Sequence, residues 1–199
     1  MTEHYYSAKP GARHDLHRLE ETLRGHKLML LTDAGVFSKK GVDFGSKLLI
    51  ETMSFPDNAQ VLDVGCGYGP IGLSAALLAA KGHVTMVDIN ERAVELARQN
   101  AEANRIQNVT IMQSDRLEAV QDNRFDVVLT NPPIRAGKEI VHSIFEQACE
   151  ALKPGGSLWV VIQKKQGAPS AYAKLEMLFA EVKEVERDKG YWIVQATKQ

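Results

Sequence analysis

The sequence predicts an α/β fold built on a mostly parallel sheet, and three observations carry this. From Gln60 onward, short β-branched runs alternate with helical patterns, as βαβ crossovers require. The runs are apolar almost throughout, as strands covered on both faces must be. The last two runs are joined through Asp188-Lys189-Gly190, a tight turn that closes an antiparallel pair.

The elements follow in order. Strands are expected at 60–64, 84–89, 109–113, 125–130 and 157–163, with helices at 70–80, 91–103, 138–152 and 169–180. A hairpin of 182–186 and 191–197 closes the sheet. The first 55 residues form a separate extension packed on the domain of residues 56–199. Within it, 19–23 and 27–32 pair as a hairpin around Gly25-His26. Residues 45–53 make a short helix with Leu48, Leu49 and Met53 on one face. The extension is placed over the mouth of the main domain.

Composition narrows the function. The chain has 199 residues, 44% of them hydrophobic and 25% charged, which excludes whole-chain disorder. With 24 Lys plus Arg against 25 Asp plus Glu, the net charge is −1. A uniformly basic nucleic-acid binder is excluded, and a basic face is not. Cys66 and Cys149 lack a CxxC partner, so neither a disulfide scaffold nor a Cys-rich zinc site is expected, and no metal is assigned. The first residues lack the basic-then-apolar pattern of a secretory leader. No apolar run approaches the roughly 18 residues of a membrane span. A cytoplasmic protein without membrane contact is the expectation.

Val61-Leu62-Asp63-Val64-Gly65-Cys66-Gly67-Tyr68-Gly69-Pro70-Ile71-Gly72 reads as strand, glycine turn and helix start. Such a turn lets a ligand approach the backbone beside a helix N-terminus. Gly67, Gly69 and Gly72 alone satisfy G-x-G-x-x-G, a weak dinucleotide signal. Asp63 argues for another ligand. A carboxylate beside pyrophosphate is unfavourable, whereas it suits the α-ammonium of S-adenosylmethionine, directly or through water. Asp88, before Ile89, ends the second strand of the alternating series, where a carboxylate can accept both ribose hydroxyls. Ser114-Asp115 follows the third, where Asp115 can receive the adenine amino group. Asn90 is the better cap for the helix at 91, which leaves Asp88 for the ribose.

The fourth strand ends in Asn131-Pro132-Pro133-Ile134. Two prolines form a rigid turn without backbone donors. Carbonyls and the Asn131 amide oxygen then make an acceptor-rich notch. An exocyclic amine needs such a notch, because its lone pair is delocalised. Accepting its N–H bonds on Asn131 and the Pro132 carbonyl frees that pair, so that positioning and electrostatics supply the rate.

These residues resemble the motifs of class I S-adenosylmethionine-dependent methyltransferases. The resemblance implies a Rossmann-like, seven-stranded sheet with its last strand antiparallel, helices on both faces, and S-adenosylmethionine as cofactor. It implies cofactor contacts from Asp63, Gly65, Cys66, Gly67, Gly69, Asp88, Ile89, Ser114, Asp115 and Asn131. The Asn-Pro-Pro turn resembles the signature of enzymes that methylate exocyclic or amide nitrogens, with Ile134 where an aromatic usually stands. Asn131, Pro132, Pro133 and Ile134 are the catalytic candidates.

Gly35-Val36-Phe37-Ser38 and Gly41-Val42-Asp43-Phe44-Gly45-Ser46 resemble the segment before the core of the small-subunit ribosomal RNA methyltransferase C family, which acts on guanine N2. That likeness implies a ribosomal RNA or small-subunit partner and puts Phe37 and Ser46 at the substrate mouth. Ile134, Arg135, Lys164 and Lys165 join them as substrate contacts. Lys39, Lys40 and Lys138 could extend a phosphate-facing rim. Three other functions stay open: methylation of a protein glutamine amide, nicotinamide-dependent oxidoreduction, and a catalytically silent RNA-binding or assembly factor.

Overall fold

The computed structural model describes residues 6–199. Its main sheet has seven strands: β3 (Gln60–Val64), β4 (His83–Asp88), β5 (Val109–Gln113), β6 (Phe125–Thr130), β7 (Leu152–Gln163), β8 (Glu181–Asp188) and β9 (Tyr191–Thr197). They lie in the order β5-β4-β3-β6-β7-β9-β8. The first five run parallel, and β9 is antiparallel to both its neighbours. The sheet is the Rossmann-like one, with its last strand reversed. Chain direction changes side between β3 and β6, and a crevice opens there at the carboxyl ends of the strands.

Alternation along the strands sends successive side chains to opposite faces. Val61, Met86, Leu129 and Trp159 go to one apolar core, and Leu62, Val87, Val128 and Leu158 to the other. The first core is covered by α1 (Phe44–Thr52), α2 (Pro70–Leu78) and α3 (Glu91–Ala103). The second is covered by α4 (Lys138–Ala151) and α5 (Ala168–Leu178).

Ahead of α1, β1 (His17–Leu23) and β2 (His26–Thr32) form an antiparallel hairpin. Its turn is Arg24-Gly25, both at positive φ, one residue earlier than the sequence suggests. The hairpin docks on α3 through amide side chains that substitute for a neighbouring strand. The Asn100 amide exchanges hydrogen bonds with the backbone of Leu31, and that of Asn104 does so with Met29. These bonds satisfy backbone groups that an unpaired edge would expose. Arg24 donates to the carbonyls of Ile50, Glu51 and Met53, closing the open C-terminal end of α1.

β7 starts at Leu152, five residues before the sequence places it. Lys153-Pro154-Gly155-Gly156 reads as a turn, yet the backbone stays in the sheet. A register irregularity opposite Phe125 and Val127 absorbs the extra length.

Candidate active site

One cleft follows the C-terminal ends of β5, β4, β3 and β6. Its lining holds Ser114 and Arg116 after β5, and Asp88, Ile89 and Asn90 at β4. Gly65, Cys66, Gly67 and Tyr68 line it after β3, and Asn131, Pro132 and Pro133 after β6. Tyr6, Val36, Phe37, Ser38, Asp43 and Ser46 close it from the N-terminal side.

The glycine turn works through backbone freedom. Gly65 and Gly67 have φ of 72° and 57°, a region open to glycine at no steric cost. Asp88 fastens this turn, its Oδ2 accepting the Gly67 N–H at 2.8 Å and its Oδ1 the Asn90 N–H at 2.9 Å. Burial nevertheless pushes the Asp88 carboxyl above the usual range, against those backbone donors. Each oxygen keeps a lone pair for a ligand hydroxyl. Asn90 caps α3 by accepting from the N–H groups of Arg92 and Ala93, so Asp88 is not the cap. Gly72 packs α2 on the sheet, since a Cβ there would meet Met86 at 2.7 Å.

At the other end, the Asn131 amide is held in one orientation. Its Nδ2 donates to Ser46 Oγ at 3.0 Å and to Asp43 Oδ2 at 3.3 Å. Asp43 also caps α1, accepting the Ser46 N–H at 3.1 Å. A carboxylate only accepts, so the NH2 must face it and Oδ1 remains to accept from a ligand. The Asn-Pro-Pro turn is less bare than the sequence implies. The Pro132 carbonyl accepts the Ile134 N–H at 2.9 Å, and Pro133, at φ −76° and ψ 78°, centres an inverse γ-turn. One lone pair of that carbonyl stays available.

Several expected contacts lie elsewhere. Asp63 is fully buried outside the cleft lining, and neither carboxylate oxygen has a hydrogen-bond partner of good geometry. Burial, reinforced by the Asp88 charge, pushes its pKa up to about 8, with a partial offset from the Gly72 N–H. Gly69 sits outside the lining as the left-handed N-cap of α2. The Asp115 carboxylate is taken by Arg116, at 3.0 and 3.2 Å, and by the Tyr6 hydroxyl at 3.2 Å. Its Oδ1 accepts twice and its Oδ2 once, so Oδ2 keeps a lone pair, and Asp115 itself stands outside the cleft lining.

Ile134 turns away from the cleft into a separate depression with Lys138, His142 and Gln166, packing against the core beneath α4 and α5. Arg135, Lys164 and Lys165 are exposed and in none of the ion pairs among the described residues. Lys164 donates its N–H to the Gly190 carbonyl, so it lies beside Lys189, which covers the Phe44 ring at 4.6 Å. Lys39 is bound to Asp15.

Two aromatic residues of the lining differ in exposure, Phe37 at 42% and Tyr68 at 2%. Asp43, Tyr6 and Arg116 were not singled out as site residues by their sequence context. The Asp43 pattern gave a signal, but its Asn131 partner is 88 residues away.

The fold and this cleft define a class I S-adenosylmethionine-dependent methyltransferase. The chain belongs to the methyltransferase small domain family, whose model matches residues 27–195 and so runs across residue 55.

YbxB of Bacillus subtilis (strain 168), described as an uncharacterized protein, is 54% identical over 200 residues, covering 100% of both chains. The ribosomal RNA large subunit methyltransferase G of Pseudomonas putida (strain W619) is 35% identical, over 86% of this chain and 46% of that one. Among solved structures, the T. thermophilus 16S rRNA N2 G1207 methyltransferase, in complex with AdoMet and guanosine, is similar at a TM-score of 0.83 and 26% identity. That match covers 92% of this chain and 51% of the other. The chain spans about half the length of these two RNA methyltransferases.

No helix among the described residues is long and apolar enough to cross a membrane. Among the described residues, no cluster of three or more His, Cys, Asp or Glu side chains could hold a metal ion.

Proposed function

We propose that the protein methylates the exocyclic N2 amine of a guanine in small-subunit ribosomal RNA. The observation that carries this reading is the Asn131 amide, oriented by Asp43 and Ser46 beside the glycine turn. Bound S-adenosylmethionine supplies an electrophilic methyl group on a sulfonium sulfur. Asp88 is suited to the ribose hydroxyls, and the glycine turn lets the ligand approach the backbone. Asn131 Oδ1 and the remaining Pro132 lone pair accept the amine N–H bonds. This bonding localises the nitrogen lone pair and aims it, so the chain contributes position and fixed dipoles without a strong base. A paired guanine cannot reach the cleft, so an unpaired or flipped nucleotide is the substrate form.

The relative solved with guanosine supports guanine and the small subunit. A second reading, a large-subunit guanine, is favoured by the 35% identity to a large subunit methyltransferase. The test is transfer of labelled methyl from S-adenosylmethionine to each unmodified ribosomal subunit and to its naked RNA, followed by nucleoside analysis. N2-methylguanosine in the small-subunit RNA supports the proposal, and the same nucleoside in large-subunit RNA supports the second reading. Label in a protein glutamine, or in another nucleoside, overturns both.

A further inference from the structure

Residues 6–16, ahead of β1, have no regular structure, yet the domain ties them down at several points. The Ala8 carbonyl accepts the N–H of Glu91, the first residue of α3, an N–H that a helix start leaves unpaired. Arg92 grips the same stretch, donating to the carbonyls of Ala12 at 2.9 Å and Ala34 at 2.6 Å. Its Nε lies 3.7 Å from the buried carboxylate of Asp33. Pro10 fits so closely over Gly35 that a Cβ there would sit 2.9 Å from the proline Cβ. Ala8, Lys9 and Gly11 are exposed, so burial alone does not explain the ordering of this strap.

At its head, Tyr6 forms part of the cleft wall, and its hydroxyl donates to Asp115 Oδ1 at 3.2 Å. Asp115 is itself clamped by Arg116, which donates to Ser143 Oγ at 2.9 Å. The Tyr6 ring is thus anchored, through its hydroxyl, to the end of the cleft formed by Asp88, Ile89, Ser114 and Arg116. Asn131 and the methyl-accepting end lie across β4, β3 and β6 from it.

We propose that Tyr6 is a cofactor-contacting residue whose ring closes the adenosine end of the cleft, the strap of residues 6–12 opening and closing as S-adenosylmethionine exchanges. Asp115 Oδ1 anchors Tyr6. Burial and the neighbouring Asp115 push the Tyr6 hydroxyl up to about 12, so it stays a donor across the physiological range. An aromatic face offers an adenine a sequence-tolerant stacking surface, and a tethered strap slows departure more than arrival. The inference rests on S-adenosylmethionine as ligand and is independent of which acceptor takes the methyl group.

The test compares the full-length wild type with Tyr6→Ala and Tyr6→Phe, measuring S-adenosylmethionine affinity by calorimetry and dissociation by stopped flow. Hydrogen exchange at the Glu91 amide reports the Ala8 contact. Tyr6→Ala is expected to weaken binding about tenfold, chiefly through faster dissociation. Tyr6→Phe keeps the ring and is expected to lose only about threefold, the share of one hydrogen bond. The Glu91 amide is expected to gain protection on ligand addition in the wild type and not in Tyr6→Ala. Wild-type affinity and dissociation in Tyr6→Ala overturn the proposal while leaving the methyltransferase reading intact. A wild type that fails to bind S-adenosylmethionine overturns both.

Discussion

Asn131 Nδ2 and Ser46 Oγ meet at 3.0 Å although 85 residues separate them in the chain. This contact joins the end of β6 to the first turn of α1, and Asp43 completes it by capping that helix and facing the same amide. The segment ahead of the main domain therefore orients a side chain at the reacting end of the cleft.

Ser46→Ala removes one acceptor and leaves the amide held by Asp43 alone. Turnover is expected to fall about three- to tenfold, the worth of one hydrogen bond, while S-adenosylmethionine affinity stays unchanged. Single-turnover rates set beside calorimetric affinities check this. A loss confined to cofactor affinity would mean that Ser46 serves the binding end.

Asp88→Ala is expected to weaken S-adenosylmethionine binding by about 1.5–3 kcal/mol, the range for hydrogen bonds to a charged group. The Gly67 N–H also loses its partner, so hydrogen exchange at that amide should quicken in the same variant. Unchanged affinity with quickened exchange would make Asp88 a loop fastener only.

Much of this architecture was readable because its signals are local. The Lys189-Gly190 turn, the Asn90 cap and the alternating apolar strands each depend on neighbouring residues. Long-range pairings were not readable: Asn131 with Asp43, and Tyr6 with Asp115 across 109 residues. Its place after the Asn-Pro-Pro turn suggests a substrate contact for Ile134. The 3-10 turn of Ile134–Ala136 instead swings its side chain toward α4 and α5. Asp63 has the sequence position of a ligand contact, and only the packing around it reveals its burial.

Asp63 carries a pH signature. Its folded pKa is pushed up to about 8, so between the ordinary carboxylate range and pH 8 the folded state holds a proton that the unfolded chain releases. Stability must then fall as pH rises through that window. Asp63→Asn, which has no charge to bury, is expected to raise Tm relative to the wild type at pH 8, the advantage vanishing near pH 4. A difference that is constant across the window would show that burial of this carboxyl is compensated in both states.

Asn100 tests the docking of the N-terminal hairpin. Its amide serves Leu31 on both backbone groups and donates to the Tyr68 carbonyl at 2.8 Å. Asn100→Ala leaves those groups unsatisfied and is expected to cost about 2–3 kcal/mol, or roughly 5–10 °C in Tm for a chain of this size. Thermal unfolding of the variant measures it. An unchanged Tm would place the docking energy in the apolar contacts alone.

Lys164 and Lys165 bear on RNA binding through salt. Their joint replacement by alanine should flatten the log–log salt dependence of RNA affinity by about one to two units and leave cofactor affinity alone. A filter-binding series over ionic strength decides it, and an identical slope would assign both to plain solvent exposure.

The central claim is that the Asn131 amide acts on the reacting amine, and Asn131→Ala in single-turnover methyl transfer with saturating RNA tests it most directly. Its hydrogen bond strengthens as the nitrogen becomes tetrahedral, so it serves the transition state more than the ground state. The rate is expected to fall about 10²–10³-fold, as on losing one preorganised polar group, with S-adenosylmethionine affinity within about threefold of wild type. Near-normal turnover in Asn131→Ala would contradict the account, because the notch would then not be where the methyl group is transferred.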